Sequence, residues 1–322
     1  LDLIVFLNIF SLIYLKQLPF YKGGVDIQKN LLDAADPSSL SLFFIVGLIV
    51  GSFLNVCIYR IPKKKSLVSP RSFCPNCNTP IGWYANIPVL SYLLLWGRCR
   101  TCKAKISIRY PLVELLTGYI FVHLYYVFIQ YRHESPCIFI CYLALCSALI
   151  ISTFVDLELL VIPNEVTFVG IPLALVLSVI CPGLHDAQNT LRNFSLTGVC
   201  RLDTLIASMI GMLVGGGLIF LCSILGKWIL KKDAMGFGDV KLMGMIGGVT
   251  GWKLAVSVFF VAPFFGLLMA IPVLLFKKRH LIPYGPFLSL AALVCILMQD
   301  YFIGLVNVYV QLFVVLFYGF HS

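Results

Sequence analysis

Apolar runs of about 20 residues recur along this chain, and that is the length an α-helix needs to cross a bilayer. Charged residues make up only 12% of the sequence, whereas a soluble domain carries roughly a quarter. The runs are continuous rather than alternating, which excludes the short two-residue rhythm of a membrane β-barrel. Spans are expected at 39–58, 111–131, 137–156, 162–181, 204–225, 240–251, 254–276, 284–303 and 305–320. The 240–251 piece is short and rich in glycine, so a tilted or half-buried helix is expected there. The fold class is therefore an all-α polytopic membrane protein of about 8–9 transmembrane helices. Residues 1–16 are apolar but short for a span, and 17–38 read as a polar loop.

The net charge of +10 is concentrated in one place. Between Arg60 and Arg109 lie ten basic residues and no Asp or Glu, and the rest of the chain sums to zero. A nucleic-acid surface is one reading of such a block. The positive-inside rule is the simpler one, and it makes 59–109 a cytoplasmic loop with no nucleic-acid partner. Strict alternation then puts 132–136 and 182–203 outside. The basic stretches at 227–233 and Lys277-Lys278-Arg279-His280 fall inside without adjustment.

Two carboxylates stand at the edges of apolar runs. Asp239 lies in Met235-Gly236-Phe237-Gly238-Asp239-Val240-Lys241-Leu242-Met243, and Asp156 ends Ser152-Thr153-Phe154-Val155-Asp156. An ionisable residue at membrane depth is expensive and marks a functional candidate. The alternation of spans brings both to the cytoplasmic face. Two carboxylates that meet share a proton, so that one activates water as a base while the other acts as an acid toward a carbonyl. This is the chemistry of an aspartyl protease. Gly236 and Gly238 carry no Cβ and are expected to support the site by letting backbone and substrate approach Asp239. The plainer alternative is that each Asp caps a helix end. Their arrival at one face, beside a Gly-x-Gly, argues against it. The five histidines are isolated, so neither a Ser-His-Asp triad nor an HExxH metal site is supported.

Four of the twelve cysteines form a pattern within the basic loop: Cys74-Pro75-Asn76-Cys77 and Cys99-Arg100-Thr101-Cys102. Four thiolates on two tight turns match a closed tetrahedral zinc site, which is structural because no coordination position stays open. A loop of this size buries little core, and a metal supplies the missing stability. The other eight cysteines, among them Cys137, Cys141 and Cys181, read as small buried hydrophobes. Between the two pairs, the apolar stretch from Ile81 to Ser91 either covers the metal or lies on the membrane interface. Asn193-Phe194-Ser195 fits a glycosylation acceptor and is taken as chance.

These residues together resemble the bacterial type IV prepilin peptidases. The resemblance runs in order through Gly51-Ser52-Phe53-Leu54-Asn55-Val56 with Arg60-Ile61-Pro62, both cysteine pairs, and Ile106-Ser107-Ile108-Arg109-Tyr110-Pro111-Leu112-Val113-Glu114-Leu115-Leu116. It continues through Asp156 to Thr167, then Gly236-Phe237-Gly238-Asp239-Val240-Lys241-Leu242 and Pro283-Tyr284-Gly285-Pro286-Phe287. It implies an enzyme of the bacterial inner membrane that cuts the basic leader from prepilins or pseudopilins at the cytoplasmic face. By position it makes Asp156 and Asp239 catalytic. It also implies methylation of the new N-terminus with S-adenosylmethionine, for which no motif locates a binding site. Asn164 stands where many relatives have Asp, and Ala85 where an acidic residue is common.

The domains expected are an N-terminal extension of unassigned role at 1–38, a first transmembrane helix at 39–58, a zinc-stabilised cytoplasmic loop domain at 59–109, and a transmembrane aspartyl peptidase domain at 110–322. The rival from another class is a non-catalytic zinc-containing membrane adapter or a proton-coupled transporter. A strict need for both Asp in peptide hydrolysis discriminates the two. A peptidase lacking methyl transfer is a narrower rival, against which the four cysteines argue.

Overall fold

The computed structural model describes residues 36–69, 72–74, 76–82, 87–188, 200–231, 235–276 and 283–318. The N-terminal stretch up to residue 35, Trp83 to Asn86, the Asn193 triplet and the Lys277 to His280 cluster lie outside the described residues. Ten α-helices are described: α1 (Pro37–Arg60), α2 (Leu90–Leu94), α3 (Arg109–Tyr125), α4 (Pro136–Leu159), α5 (Asn164–Ile180), α6 (Cys200–Leu230), α7 (Phe237–Thr250), α8 (Trp252–Phe276), α9 (Gly285–Leu297) and α10 (Gln299–Tyr318). A π-helical turn (Tyr126–Tyr131) extends α3, and a 3₁₀ turn (Pro182–Gln188) follows α5. Among the described residues, four helices are long and apolar enough to cross a membrane, or five if the bent pair α9–α10 is one span. The protein is a helical membrane protein.

Caps set the helix starts. Asp36 accepts a hydrogen bond from the Ser38 N–H ahead of Pro37 and so caps α1. Pro136 opens α4, and Gly285-Pro286 opens α9. Between membrane helices lipid is as apolar as leucine, so close packing rather than water exclusion drives association. Small residues provide that closeness in two seams. Where α1 crosses α3, a Cβ on Gly51 would lie 2.7 Å from the Glu114 Cα. Where α6 crosses α7, a Cβ on Gly215 would lie 2.7 Å from the Met243 carbonyl oxygen, and one on Gly247 would lie 2.8 Å from the Gly211 carbonyl carbon.

The second seam explains α7. Every residue from Leu242 to Thr250 is buried, so this short helix is wrapped by its neighbours rather than half exposed. At Gly251 (φ 78°) the chain reverses into α8. The expected spans at 284–303 and 305–320 are instead two helices that meet at Met298 and bend by 92°. Polar ties hold α10 across the end of the bundle: Arg132 bridges Asp300 at 2.9 Å, Lys253 donates to Asn307 at 2.7 Å, and the Tyr142 hydroxyl reaches Gln299 at 3.4 Å.

The structure also corrects one reading of the cysteines. Cys137 and Cys181 are joined in a disulfide between the start of α4 and the end of α5, with Cα atoms 5.9 Å apart. Both were expected to be isolated hydrophobes. Each borders a segment expected outside, 132–136 and 182–203, so the topology already placed them at the same face.

Candidate active site and metal centre

Asp156 lies in the last turn of α4. Just beyond it, Leu160 takes a left-handed conformation (φ 56°) and returns its N–H to the Asp156 carbonyl at 2.9 Å, which ends the helix. The chain turns at once, and Pro163 caps the next helix with extended backbone. This tight turn carries Ile162 inward to 6% exposure. Asp239 lies in the first turn of α7, where the partial positive charge of the helix start favours a carboxylate.

The two aspartates are brought together. Asp156 is 5% exposed, Asp239 9%, and their carboxylates are near enough to interact electrostatically. Oδ2 of Asp156 accepts the backbone N–H of Gly285 at 3.0 Å. A Cβ on Gly285 would stand 2.7 Å from that same oxygen, so only glycine permits this approach. Ile162 packs against both Gly238 and Gly285: its side chain would meet a Cβ on Gly238 at 3.0 Å and one on Gly285 at 3.4 Å. Gly238 therefore makes room for Ile162, while Gly236 is the N-cap of α7 and its carbonyl accepts the Asp239 N–H at 3.1 Å. Lys241 donates to Asn164 Oδ1 at 2.9 Å and covers the Phe168 ring at 4.5 Å, pinning α7 to the start of α5.

Gly285 and Ile162 were given no role in the sequence reading. The signal for Gly285 was a helix start, Tyr284-Gly285-Pro286, directly after a basic cluster expected at the aspartate face.

The loop of 61–108 sits at this same end. It leaves α1 after Arg60 and returns at Arg109, which pairs with Glu158, two residues beyond Asp156. Among the described residues the loop has no strands but two isolated bridges, Phe73–Pro80 and Arg98–Lys105. Each closes an equivalent turn. Cys74 N–H bonds to Thr79 O at 3.0 Å and Cys99 N–H to Ala104 O at 2.8 Å, and Asn78 and Lys103, each just after the second cysteine, take positive φ.

The four sulfurs of Cys74, Cys77, Cys99 and Cys102 all lie within 4.8 Å of one another and could hold a metal ion. Tetrahedral zinc–thiolate bonds of about 2.3 Å imply sulfur–sulfur edges of about 3.8 Å. The Cys74–Cys102 and Cys77–Cys99 separations are 3.9 and 4.0 Å, so the residues fit the group. The Thr79 hydroxyl, 3.2 Å away, and the Thr79 N–H hold the Cys77 thiol down to about 6. The backbone N–H groups of Cys102 and Thr101 lower Cys99 too. The N–H groups of Cys77 and Asn76 pull Cys74 down, but burial, with the neighbouring Cys99 and Cys77 sulfurs, carries it up on balance.

The Cys₄ loop is docked on the bundle by a buried carboxylate. Glu114 on α3, 7% exposed, accepts the Val89 N–H at 2.8 Å. One turn earlier, Asn55 of α1 donates to the Tyr110 carbonyl at 3.0 Å.

A polytopic helical protein with a buried pair of aspartates beside a metal-competent loop belongs to the class of intramembrane carboxylate proteins. Comparison with known proteins narrows this. Residues 45–128 match the bacterial Peptidase A24 N-terminal domain, and residues 143–271 match the type IV leader peptidase family. The chain is 34% identical over 287 residues to the prepilin leader peptidase/N-methyltransferase of Aeromonas hydrophila, covering 81% of this chain and 91% of that protein. It is 31% identical over 293 residues to the protein of the same name from Neisseria gonorrhoeae, covering 84% and 94%. A type 4 prepilin-like proteins leader peptide-processing enzyme of Escherichia coli is 34% identical over 274 residues, covering 80% and 93%. No solved structure matches the chain. The chain belongs to the type IV leader peptidase family.

Proposed function

We propose that this chain is a membrane aspartyl endopeptidase that removes the leader peptide from prepilin-like proteins and methylates the new N-terminus. The observation that carries the peptidase assignment is the buried meeting of Asp156 and Asp239 at the bundle end that bears the Cys₄ loop. In this reading the two carboxylates share one proton. One takes a proton from the attacking water, and the other gives its proton to the scissile carbonyl oxygen. The Gly285 N–H fixes the orientation of Asp156, and Ile162 keeps the space beside the pair apolar. Gly236 and Gly238 shape the start of α7 so that Asp239 can face Asp156.

The Cys₄ loop holds structural zinc through Cys74, Cys77, Cys99 and Cys102, and faces the cytoplasm of a bacterial inner membrane. The ten basic residues from Arg60 to Arg109 support that orientation. Leu90, Leu93, Leu94 and Trp96 are exposed on and beside α2, which supports contact of the loop with the lipid interface. Of the helices, α1 and α3–α8 together with the bent α9–α10 pair account for about 8–9 crossings when each traverses the bilayer. The domain division into 1–38, 39–58, 59–109 and 110–322 follows from the same reading. The relatives' N-methyltransferase name supports methyl transfer, for which S-adenosylmethionine supplies a methyl group on a sulfonium.

The test is mass spectrometry of a prepilin incubated with the detergent-solubilised protein and S-adenosylmethionine, with Asp239→Asn run in parallel. Loss of the leader with one added methyl group is expected from the native protein, and an intact prepilin from the variant. An intact prepilin with native, folded, metal-loaded protein would overturn the assignment and favour the adapter reading.

A further inference from the structure

The end of the bundle remote from the aspartates carries a second group of sulfurs that the peptidase reading does not use. Cys137 is in the first turn of α4, and Asp156 lies 19 residues further along the same helix, roughly 28 Å away at 1.5 Å per residue. Cys141 follows Cys137 by one turn and so lies on the same helix face. Cys181 caps the end of α5. The Cys137–Cys181 disulfide joins the two helices there. Cys141 keeps a free thiol, fully buried, and its Sγ stands 3.7 Å from the Cys181 Sγ. All three sulfurs lie within 4.8 Å of one another. At this distance a thiol is in van der Waals contact with a disulfide sulfur.

We propose that Cys137, Cys141 and Cys181 form a thiol–disulfide exchange site at the face opposite the aspartates. In the exchange step Cys141, as thiolate, attacks the Cys181 sulfur. The Cys141–Cys181 bond forms, the Cys137–Cys181 bond breaks, and Cys137 leaves with the electron pair and takes up the proton that Cys141 released. No oxidant is consumed. Making the first disulfide from thiols removes two electrons and two protons. These pass to a disulfide-bearing oxidoreductase: Cys137, the one sulfur of the three that is not fully buried, attacks that disulfide as thiolate and expels one of its sulfurs, and Cys181 then displaces the other as the Cys137–Cys181 bond forms. Disulfides persist in an oxidising compartment, which agrees with the outer face expected for the 132–136 and 182–203 segments that Cys137 and Cys181 border.

Peptide mapping of the full chain in its native membranes tests this. Free thiols are blocked with N-ethylmaleimide after acid quenching, and the protein is digested without reduction by chymotrypsin, whose cut at Phe139 separates Cys137 from Cys141. Native protein is expected to give Cys137–Cys181, with Cys141–Cys181 appearing after brief treatment with substoichiometric glutathione. In Cys137→Ser the bond is expected to move to Cys141–Cys181, and in Cys141→Ala only Cys137–Cys181 should form. Three alkylated cysteines in the native protein would overturn the proposal, whether they are unpaired thiols or ligands of a soft metal. So would native protein that never yields Cys141–Cys181, a result that stands even if Cys137→Ser does not fold.

Discussion

The backbone N–H of Gly285 donates to Oδ2 of Asp156 at 3.0 Å, across 129 residues of sequence. Both partners sit where their own helices end or begin, so the contact depends on the packing of α9 against α4. Gly285→Ala would push a methyl group to 2.7 Å from that oxygen and force the two apart. A hydrogen bond to a charged group contributes about 1.5–3 kcal/mol. The rate of leader removal should therefore fall by about 10- to 100-fold. Gly217→Ala, where a Cβ meets nothing within 4 Å, should leave the rate unchanged. Prepilin cleavage time courses on the two variants check this.

The Cys₄ loop should bind one zinc per chain, and Cys99→Ser should lose it, as read by elemental analysis of the purified protein. The pH profile follows from the thiols. Cys77 is lowered from an ordinary 9.0 to about 6, so it is already thiolate at neutral pH and regains its proton only when pH falls through about 6. Because metal competes with protons for the same sulfur, zinc should be retained at pH 7 and released on acidification below about 6.

The crossing of α6 and α7 has no room for a side chain at Gly211, Gly215 or Gly247. Gly247→Leu should separate the helices and, with them, Asp239 from Asp156. Overpacking of this kind costs about 1–3 kcal/mol or more. The expected result is a lower thermal midpoint in detergent together with lost cleavage, whereas Gly217→Leu should change neither.

The parts of this molecule that could be read in the sequence are those written locally. The cysteine pairs announce their turns by spacing alone, and the structure places the four sulfurs together. Asp156 and Asp239 each end or begin an apolar run, and counting spans was enough to bring them to one face. What was missed depends on contacts between distant segments. Gly285 was visible as a helix start, but its N–H could be assigned to Asp156 only once α9 was packed. The burial of α7 follows from glycines on α6, a helix whose glycines carry no local signal of what they meet. The helix beyond the bend at Met298 is tied down by Arg132, Tyr142 and Lys253, which lie on three other segments. Cys137 and Cys181 were legible in principle, because both border segments expected on the outer face. Treating each cysteine singly hid the pair.

Glu114 is the point at which the Cys₄ loop is tied to the membrane helices. Its carboxylate accepts the Val89 N–H at 2.8 Å, and Val89 holds a positive φ of 59° that a β-branched residue rarely adopts. The hydrogen bond and the strained backbone occur at the same residue, so the docked loop resists its own local preference. Glu114→Leu keeps bulk in the seam but leaves the Val89 N–H without its acceptor, which costs about 1–3 kcal/mol. The loop should then undock, and limited trypsin digestion at its eight basic positions from Lys63 to Lys105 should be about 10-fold faster or more. Glu114→Gln keeps a carbonyl oxygen for Val89 and should restore most of the protection. Equal digestion of the Leu and Gln variants would mean that the carboxylate serves something other than the loop. Zinc content measured on the same samples separates undocking of an intact metal site, the expected outcome, from collapse of the site itself.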